Sequence, residues 1–507
     1  MKNKTELDTS LTLKSLQQAY LTGHYTPTTL VEAIIAELKA RGDDGTWTYT
    51  LPEKDLRSRA ATLETTLKAA ASKDISTKGI PNHLPLWGIP FSVKDCIDSA
   101  GLPTSSGCPG FTYTATHTNP AVQKLLDAGA ILIGKTNLDQ FATGLVGIRT
   151  GYTVPHNAFS ADHIPGGSSS GAALSVAKGL VSFAIGTDTG GSGRVPAGFN
   201  NIVGLKPTKG RLSTAHTVEA CKTLDCLSIF ALTPEDTQTI FDIAQGTDPT
   251  HPFSRPATVP SPRRQSYAPS PKKNQTFRFG VPRPAQRAFF GNTDVEALYN
   301  NAIEQLIALG GNCIEIDYGP FLEANALLFN GPWVAERYAS VGHFVEKSPE
   351  SVFPITRDII SKAKTITAVE AFEGLYAVET LKRKSQFLWE DIDCLVVPTT
   401  GTIYRIDEVE AEPLKLNANL GYYTNFVNLL DLCAIALPNG FQSNGLPSGI
   451  TLIAPPHSER YLTDLGSAFH RAGSTQLGAT AFTFTDREGE KMDSGEIRGI
   501  GEVGSTV

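Results

Sequence analysis

A chain of 507 residues with 51 acidic against 44 basic side chains carries a formal net charge of −7. That balance argues against nucleic acid or an anionic membrane surface as the partner. Hydrophobic residues make up 40% and charged residues 19%, values of a globular protein with a sizeable core, and no apolar run reaches the ~18 residues of a spanning helix. Met1–Asp8 is not followed by the apolar stretch of a secretory signal. Seven cysteines at irregular spacing, Cys221 and Cys226 among them, read as reduced packing thiols of a cytoplasmic protein. The ten histidines form no ligand pattern, so neither a metal nor a cofactor is expected.

In chain order, two amphipathic helices are predicted over 11–41, with Leu11, Leu13, Leu16 and Tyr20 on the first. Thr26-Pro27 opens the second, whose apolar face is Leu30, Ile34, Ile35 and Leu38. A third helix spans 54–72, and 73–85 is a polar loop. Residues 89–93 read as a strand, placed at an edge or begun by Pro90, that ends on Lys94-Asp95. A helix at 121–128, a strand at 130–134 and a helix from 138–143 follow. Next come a helix at 172–180 and a strand at 180–185, bracketed by Gly/Ser-rich loops at 166–171 and 186–194. This alternation across 86–245 predicts an α/β core. Residues 249–275, rich in Pro and Ser with Arg263, Arg264, Lys272 and Lys273, read as a surface linker. Strands are predicted at 277–281, 313–316, 391–398 and 449–454, and helices at 295–309, through most of 320–387, and at 461–472. Residues 425–436 form an apolar run, helical or leading into a strand. The organisation is one domain over 1–485 with N-terminal helices 11–72, a catalytic core 86–245, the 249–275 loop and the rest of the core at 277–480, then a disordered polar tail at 486–507.

Three chemistries compete for the serines. Gly167-Ser168-Ser169-Ser170-Gly171 fits the G-x-S-x-G of a nucleophile elbow, but that turn must follow a strand, and residues 161–166 are polar with Pro165. A phosphate cradle needs G-x-x-x-x-G-K-[ST] or G-x-G-x-x-G, and neither is present at a strand-to-helix turn. The third reading pairs a serine with a lysine. A serine hydroxyl needs a base to take its proton. Lysine serves when burial keeps it neutral. Lys94 ends a strand beside the small, polar stretch 99–106, and a second serine can relay the proton.

Gly166–Gly171, Gly186–Pro196 and Val93-Lys94-Asp95 together resemble the amidase signature family, in order and at its spacing, and the resemblance runs over about 10–480. It implies an α/β amidase signature fold, a central mixed β-sheet flanked by helices on both faces. It implies Ser192 as nucleophile, Ser168 as a relay following an unusual cis peptide, and Lys94 as the buried base. The oxyanion hole would be the backbone N–H groups of Thr189, Gly190, Gly191 and Ser192. Asp188 and Arg194 read as an ion pair that fixes the loop. The resemblance also suggests a homodimer.

Within that family, residues 197–208, 221–230, 331–337 and 424–433 resemble allophanate hydrolases. The implied substrate is the small anion allophanate (urea-1-carboxylate), cleaved with release of ammonia and carbon dioxide. Arg337 would hold its carboxylate, a planar guanidinium suiting that geometry. Phe329 departs from the tyrosine that the family commonly has eight residues before the arginine, and the lost hydroxyl bears on specificity. The sequence ends shortly after the amidase body, where many allophanate hydrolases continue into a further domain. Without it, the product is an N-carboxylated carbamate that decarboxylates spontaneously. The alternatives are an amidase or carbamate hydrolase with another small substrate, prompted by Phe329, and a glutaminase-type subunit of an amidotransferase.

Overall fold

The structure, a computed structural model, describes residues 7–70, 74–75, 80–256, 277–473 and 476–483, the side chains of Phe329 and Asn330 excepted. The linker predicted at 249–275 is thus described only to Pro256, and the tail predicted at 486–507 lies outside the described residues.

The first half of the chain supplies β1 (Trp47–Thr50), β2 (Pro90–Lys94), β3 (Pro103–Thr104), β4 (Tyr113–Thr114), β5 (Ile131–Thr136), β6 (Phe183–Asp188), β7 (Val203–Lys206) and β8 (Cys226–Ala231). The second half supplies β9 (Phe277–Pro282), β10 (Gly311–Ile316), β11 (Cys394–Pro398), β12 (Cys433–Phe441) and β13 (Pro447–Ala454). Strands β3 and β4 pair with each other, and the remaining eleven form one sheet in the order β1-β5-β2-β6-β8-β7-β12-β13-β11-β9-β10. Strand β2 runs parallel to β5 and β6, and β9 parallel to β10 and β11. The other pairings are antiparallel, so the sheet is mixed. Helices flank it on both faces. Every residue of β2, β5, β6, β8 and β13 is buried, which is why these strands read as apolar runs rather than alternating patterns.

Local chemistry sets the ends of the elements. Thr26 caps the helix Pro27–Arg41 in a capping box with Thr29, and Pro27 occupies the first turn, as predicted. Pro90 begins its strand but not at an edge, since β2 is flanked on both sides. The strand predicted at 180–185 falls later, at Phe183–Asp188. The carbonyl of Ser175 draws in the N–H groups of Leu180 and Val181, and Gly179 turns at φ +68°. The helix predicted from 138 is replaced by one 3₁₀ turn, Gln140–Ala142, with Phe141 at φ +52°. The cause is Asp139, whose carboxylate accepts from the N–H groups of Val146, Gly147 and Arg149 and winds the segment into a loop. The run at 425–436 divides into a helical turn, Phe426–Leu429, and the start of β12, with Asp431 between them at φ +58°. Strands β1, β3, β4 and β8 fall outside the predicted strands. No helix among the described residues is long and apolar enough to cross a membrane.

Candidate active site

Parallel neighbours end together, so β2 and β6 deliver their last residues to one edge of the sheet, where crevices form in α/β folds. Lys94 is the last residue of β2. The loop after β6 carries Ser192, and the loop before the helix Ser170–Ala177 carries Ser168. That helix is buried along its whole length and is built largely of small residues. A Cβ at Gly171 would stand 2.2 Å from the Thr46 carbonyl oxygen, so only glycine lets the helix sit this close.

The three predicted groups meet. Lys94 Nζ lies 2.8 Å from Ser168 Oγ, and Ser168 Oγ donates to Ser192 Oγ at 2.9 Å. Lys94 and Ser168 are fully buried, and Ser192 is 3% exposed. The Gly167–Ser168 peptide is cis, as the resemblance implied. Burial pushes Lys94 below the ordinary lysine range, against the opposing pull of Cys96, Asp139, Asp225 and Asp188. Its second contact is the Thr187 hydroxyl at 2.7 Å.

Asp188 and Arg194 form the predicted ion pair. It is bidentate, at 2.9 and 3.0 Å, with both side chains at 0% exposure. Burial alone would raise the Asp188 carboxyl, but the Arg194 charge more than offsets it and holds the group below the usual range. Asp188 also accepts from the N–H groups of Gly191 at 2.9 Å and Gly193 at 3.0 Å. Of the four N–H groups expected at the oxyanion hole, that of Gly191 thus donates to the Asp188 carboxylate. From the far half of the sheet, Asn428 Nδ2 donates to the Asp188 carbonyl and Arg194 Nη2 to the Thr424 carbonyl.

Two carboxylates in the site escaped sequence reasoning. Asp139 ties the 144–151 loop against the first serine loop, and its own N–H donates to the Ser168 carbonyl. A Cβ on Gly167 would stand 2.2 Å from Asp139 Oδ2, so the cis bond has room only with glycine before it. Asp225 accepts from the Thr189 hydroxyl and from the N–H groups of Ala220 and Cys221. Burial pushes its carboxyl up to about 6.

Arg337 is 3% exposed and its Nη1 donates to Thr143 Oγ1 at 3.0 Å and to the Ala142 carbonyl at 3.3 Å. Its charge lowers the pKa of the buried Asp225 and Cys221 against the rise that burial imposes. Phe329 belongs to the helix Gly319–Asn330, but its side chain lies outside the described residues. Cys221 and Cys226 are fully buried, with thiols pushed up to about 12, as packing residues would be. Among the described residues no group of three or more His, Cys, Asp or Glu is arranged to hold a metal ion. A separate cleft of about 630 Å³, lined by Trp389, Asp431, Pro456 and Tyr461 among others, contains none of these groups.

The amidase family profile matches residues 52–463, and the chain belongs to that family. Urea amidolyase of Saccharomyces cerevisiae is 44% identical over 405 residues, covering 79% of this chain and 22% of that protein. The chain thus spans under a quarter of the length of the curated urea amidolyases it matches. A glutamyl-tRNA(Gln) amidotransferase subunit of Trichormus variabilis is 32% identical over 420 residues, 77% of this chain and 85% of that one. The solved structure of Kluyveromyces lactis allophanate hydrolase superposes with a TM-score of 0.84 at 37% identity, covering 94% of this chain and 77% of the other.

Proposed function

We propose that this chain is an amidohydrolase that cleaves allophanate, releasing ammonia and, after decarboxylation of the product, carbon dioxide. The observation that carries the mechanism is the unbroken Lys94–Ser168–Ser192 relay at 2.8 and 2.9 Å inside a buried site. Neutral Lys94 accepts the Ser168 proton as Ser168 accepts the Ser192 proton. Ser192 Oγ then bonds to the amide carbon, and the carbonyl electrons move onto oxygen. The N–H groups of Thr189, Gly190 and Ser192 receive that oxyanion, in a loop that Asp188 and Asp225 brace from below. The proton returns through Ser168 to the departing nitrogen, and ammonia leaves. Water, deprotonated through the same relay, attacks the acyl-Ser192 ester and frees the enzyme.

Support for allophanate as the substrate comes from the urea amidolyase and allophanate hydrolase relatives and from the buried charge of Arg337. Arg337→Ala is expected to raise KM for allophanate at least ~10-fold, the value of a charge-assisted hydrogen bond of about 1.5–3 kcal/mol, while KM for a neutral amide changes little. Equal effects on both substrates would make the arginine a purely structural group. The assay that tests the assignment is ammonia release from allophanate, malonamate, neutral amides, carbamates and glutamine. Turnover of neutral amides without turnover of allophanate would sink it. The match to an amidotransferase component favours a second reading, a glutaminase. That reading predicts glutamine hydrolysis only when a partner protein is added.

The pH profile follows from Asp225. Below about 6 its carboxyl is protonated and no longer offers Thr189 a full set of acceptor sites, so kcat/KM should fall on the acid side. Asp225→Asn should flatten that limb. An acid limb that survives unchanged in the variant would assign it to Lys94 instead.

A further inference from the structure

Lys209 lies just past the end of β7, half-buried, and forms no ion pair among the described residues. Its Nζ donates to the Thr223 carbonyl at 3.2 Å. The groups around it are set by contacts that do not involve its own side chain. Gly210 turns at φ +77° against the Phe253 carbonyl, and its own carbonyl accepts from the Arg255 N–H at 2.8 Å. The Arg255 side chain reaches Asp431, Nη1 to Oδ2 at 2.8 Å. On the other side Lys206 Nζ donates to the Leu432 carbonyl at 2.7 Å. Asp431 and Leu432 line the cleft of about 630 Å³ together with Lys382. Cations from separate elements thus gather about Lys209: Lys206 of β7, Arg255 of the segment after the helix Pro234–Ala244, and Lys382 of the helix Ala368–Gln386. Asp431, the carboxylate among them, is engaged by Arg255, and Lys382 has Glu379 at 2.5 Å. Lys209 is left with the surplus charge.

A lysine in this setting is destabilised as a cation. Burial pushes its ammonium down to about 8, Lys206, Lys382 and Arg255 push the same way, and Asp431 opposes them. The buried Cys226 thiol is also within reach of its charge. Near pH 7.5 about a quarter of Lys209 is therefore free amine, against about one part in a thousand for an ordinary lysine. A desolvated amine beside other cations is the kind of lysine that attacks an electrophilic carbon. The cations also favour a product in which that amine has become an anion. We propose that Lys209 is a carbamylation site, where the amine takes up carbon dioxide and the carbamate faces Lys206, Arg255 and Lys382. The Nζ lone pair bonds to the carbon of carbon dioxide, one C–O π pair moves onto oxygen, and the surplus Nζ proton passes to water. The side chain changes from one positive to one negative charge, which turns three repulsions into attractions. Asp431 opposes the change, but its own charge is matched by Arg255. The N–H that stays on Nζ can keep the bond to the Thr223 carbonyl. Carbon dioxide is a dissolved gas small enough for a half-buried amine, and the inference does not rest on the proposed substrate.

The test is to equilibrate the full chain with isotope-labelled bicarbonate at about pH 8, where half of Lys209 is free amine. Carbon NMR should show a carbamate carbonyl distinct from bicarbonate and carbon dioxide. Trapping with triethyloxonium, which fixes a carbamate as its ester, should place the label on Lys209 by peptide mass mapping. Lys209→Arg keeps the positive charge and should abolish both signals. Lys382→Glu, at a partly exposed position, should lower the occupancy at least ~10-fold, because reversing one nearby charge moves a lysine by a unit or more. The mapping is read on the wild-type chain, so it decides the matter even if a variant fails to fold. Absence of label on Lys209 overturns the proposal. So does a carbamate signal that survives Lys209→Arg, which belongs to another amine. An occupancy unchanged by Lys382→Glu overturns the part assigned to the surrounding cations.

Discussion

Ser192→Ala should lower kcat for amide hydrolysis by about 10⁴-fold or more, the scale on which loss of a serine nucleophile acts. KM should change little, since the hydroxyl contributes chemistry rather than binding. The geometry leaves no substitute. Ser168 Oγ lies 2.9 Å behind Ser192 and is fully buried, so it has no path to a substrate carbonyl. Ser168→Ala and Lys94→Ala break the same relay and should fall by comparable factors. Combining either with Ser192→Ala should add almost nothing, because groups that act as a unit are lost together. Ammonia release under saturating substrate is the measurement. A Ser192→Ala protein that keeps more than a few per cent of wild-type turnover would refute the mechanism. The variant should remain folded, since the hydroxyl takes part in a single internal hydrogen bond.

The largest effect on stability belongs to Arg194. Arg194→Ala is expected to cost about 3–5 kcal/mol, because it strands a carboxylate that has no exposure to water. Asp188 would lose two charge-assisted bonds and its counter-charge, keeping the N–H groups of Gly191 and Gly193. The sign with pH follows from linkage. In the wild type the Asp188 carboxyl is held below its unfolded value, so its contribution is present above the ordinary aspartate pKa of about 4 and is lost as pH falls through the lower folded value. In the variant that carboxyl rises and takes up a proton instead. The gap between wild type and variant should therefore narrow as pH drops toward 4, which urea unfolding at several pH values would read. Asp188→Asn in the Arg194→Ala background should recover part of the loss, since it removes the stranded charge. A gap that is independent of pH would mean that packing, not charge, is what Arg194 supplies.

Much of the site was legible because its residues sit in short, glycine-punctuated stretches whose order is the order of the chemistry. The Lys94, Ser168 and Ser192 motifs could be found without knowing the sheet. The bracing was not legible. Asp139 and Asp225 are single aspartates in ordinary surroundings, and only folding shows that three or more donors converge on each. Gly191 illustrates the same limit. The resemblance counts its N–H toward the oxyanion, and only the fold shows that this N–H donates to the Asp188 carboxylate. Element types were readable where burial leaves a simple period, as in β2 and in the helix Thr293–Ala308. They failed at 138–143, where one buried carboxylate outweighed helix propensity. Pro90 suits a sheet edge or a strand start, and the fold takes the second, since a missing N–H at a first residue is compatible with the centre of a sheet as well as its edge.

The order of strands in the sheet also sets a timetable. Chains emerge from the ribosome N-terminus first. Strands β1 to β8 and all three relay residues are made before β9 begins, and within the sheet the late half joins where β12 pairs with β7. Thr424 and Asn428, which take up Arg194 and the Asp188 carbonyl, arrive with that late half. A nascent chain thus holds Lys94, Ser168 and Ser192 roughly 200 residues before the loop that carries Ser192 has its last two supports. On the proposed mechanism, catalytic competence is withheld until the second half of the sheet has been made.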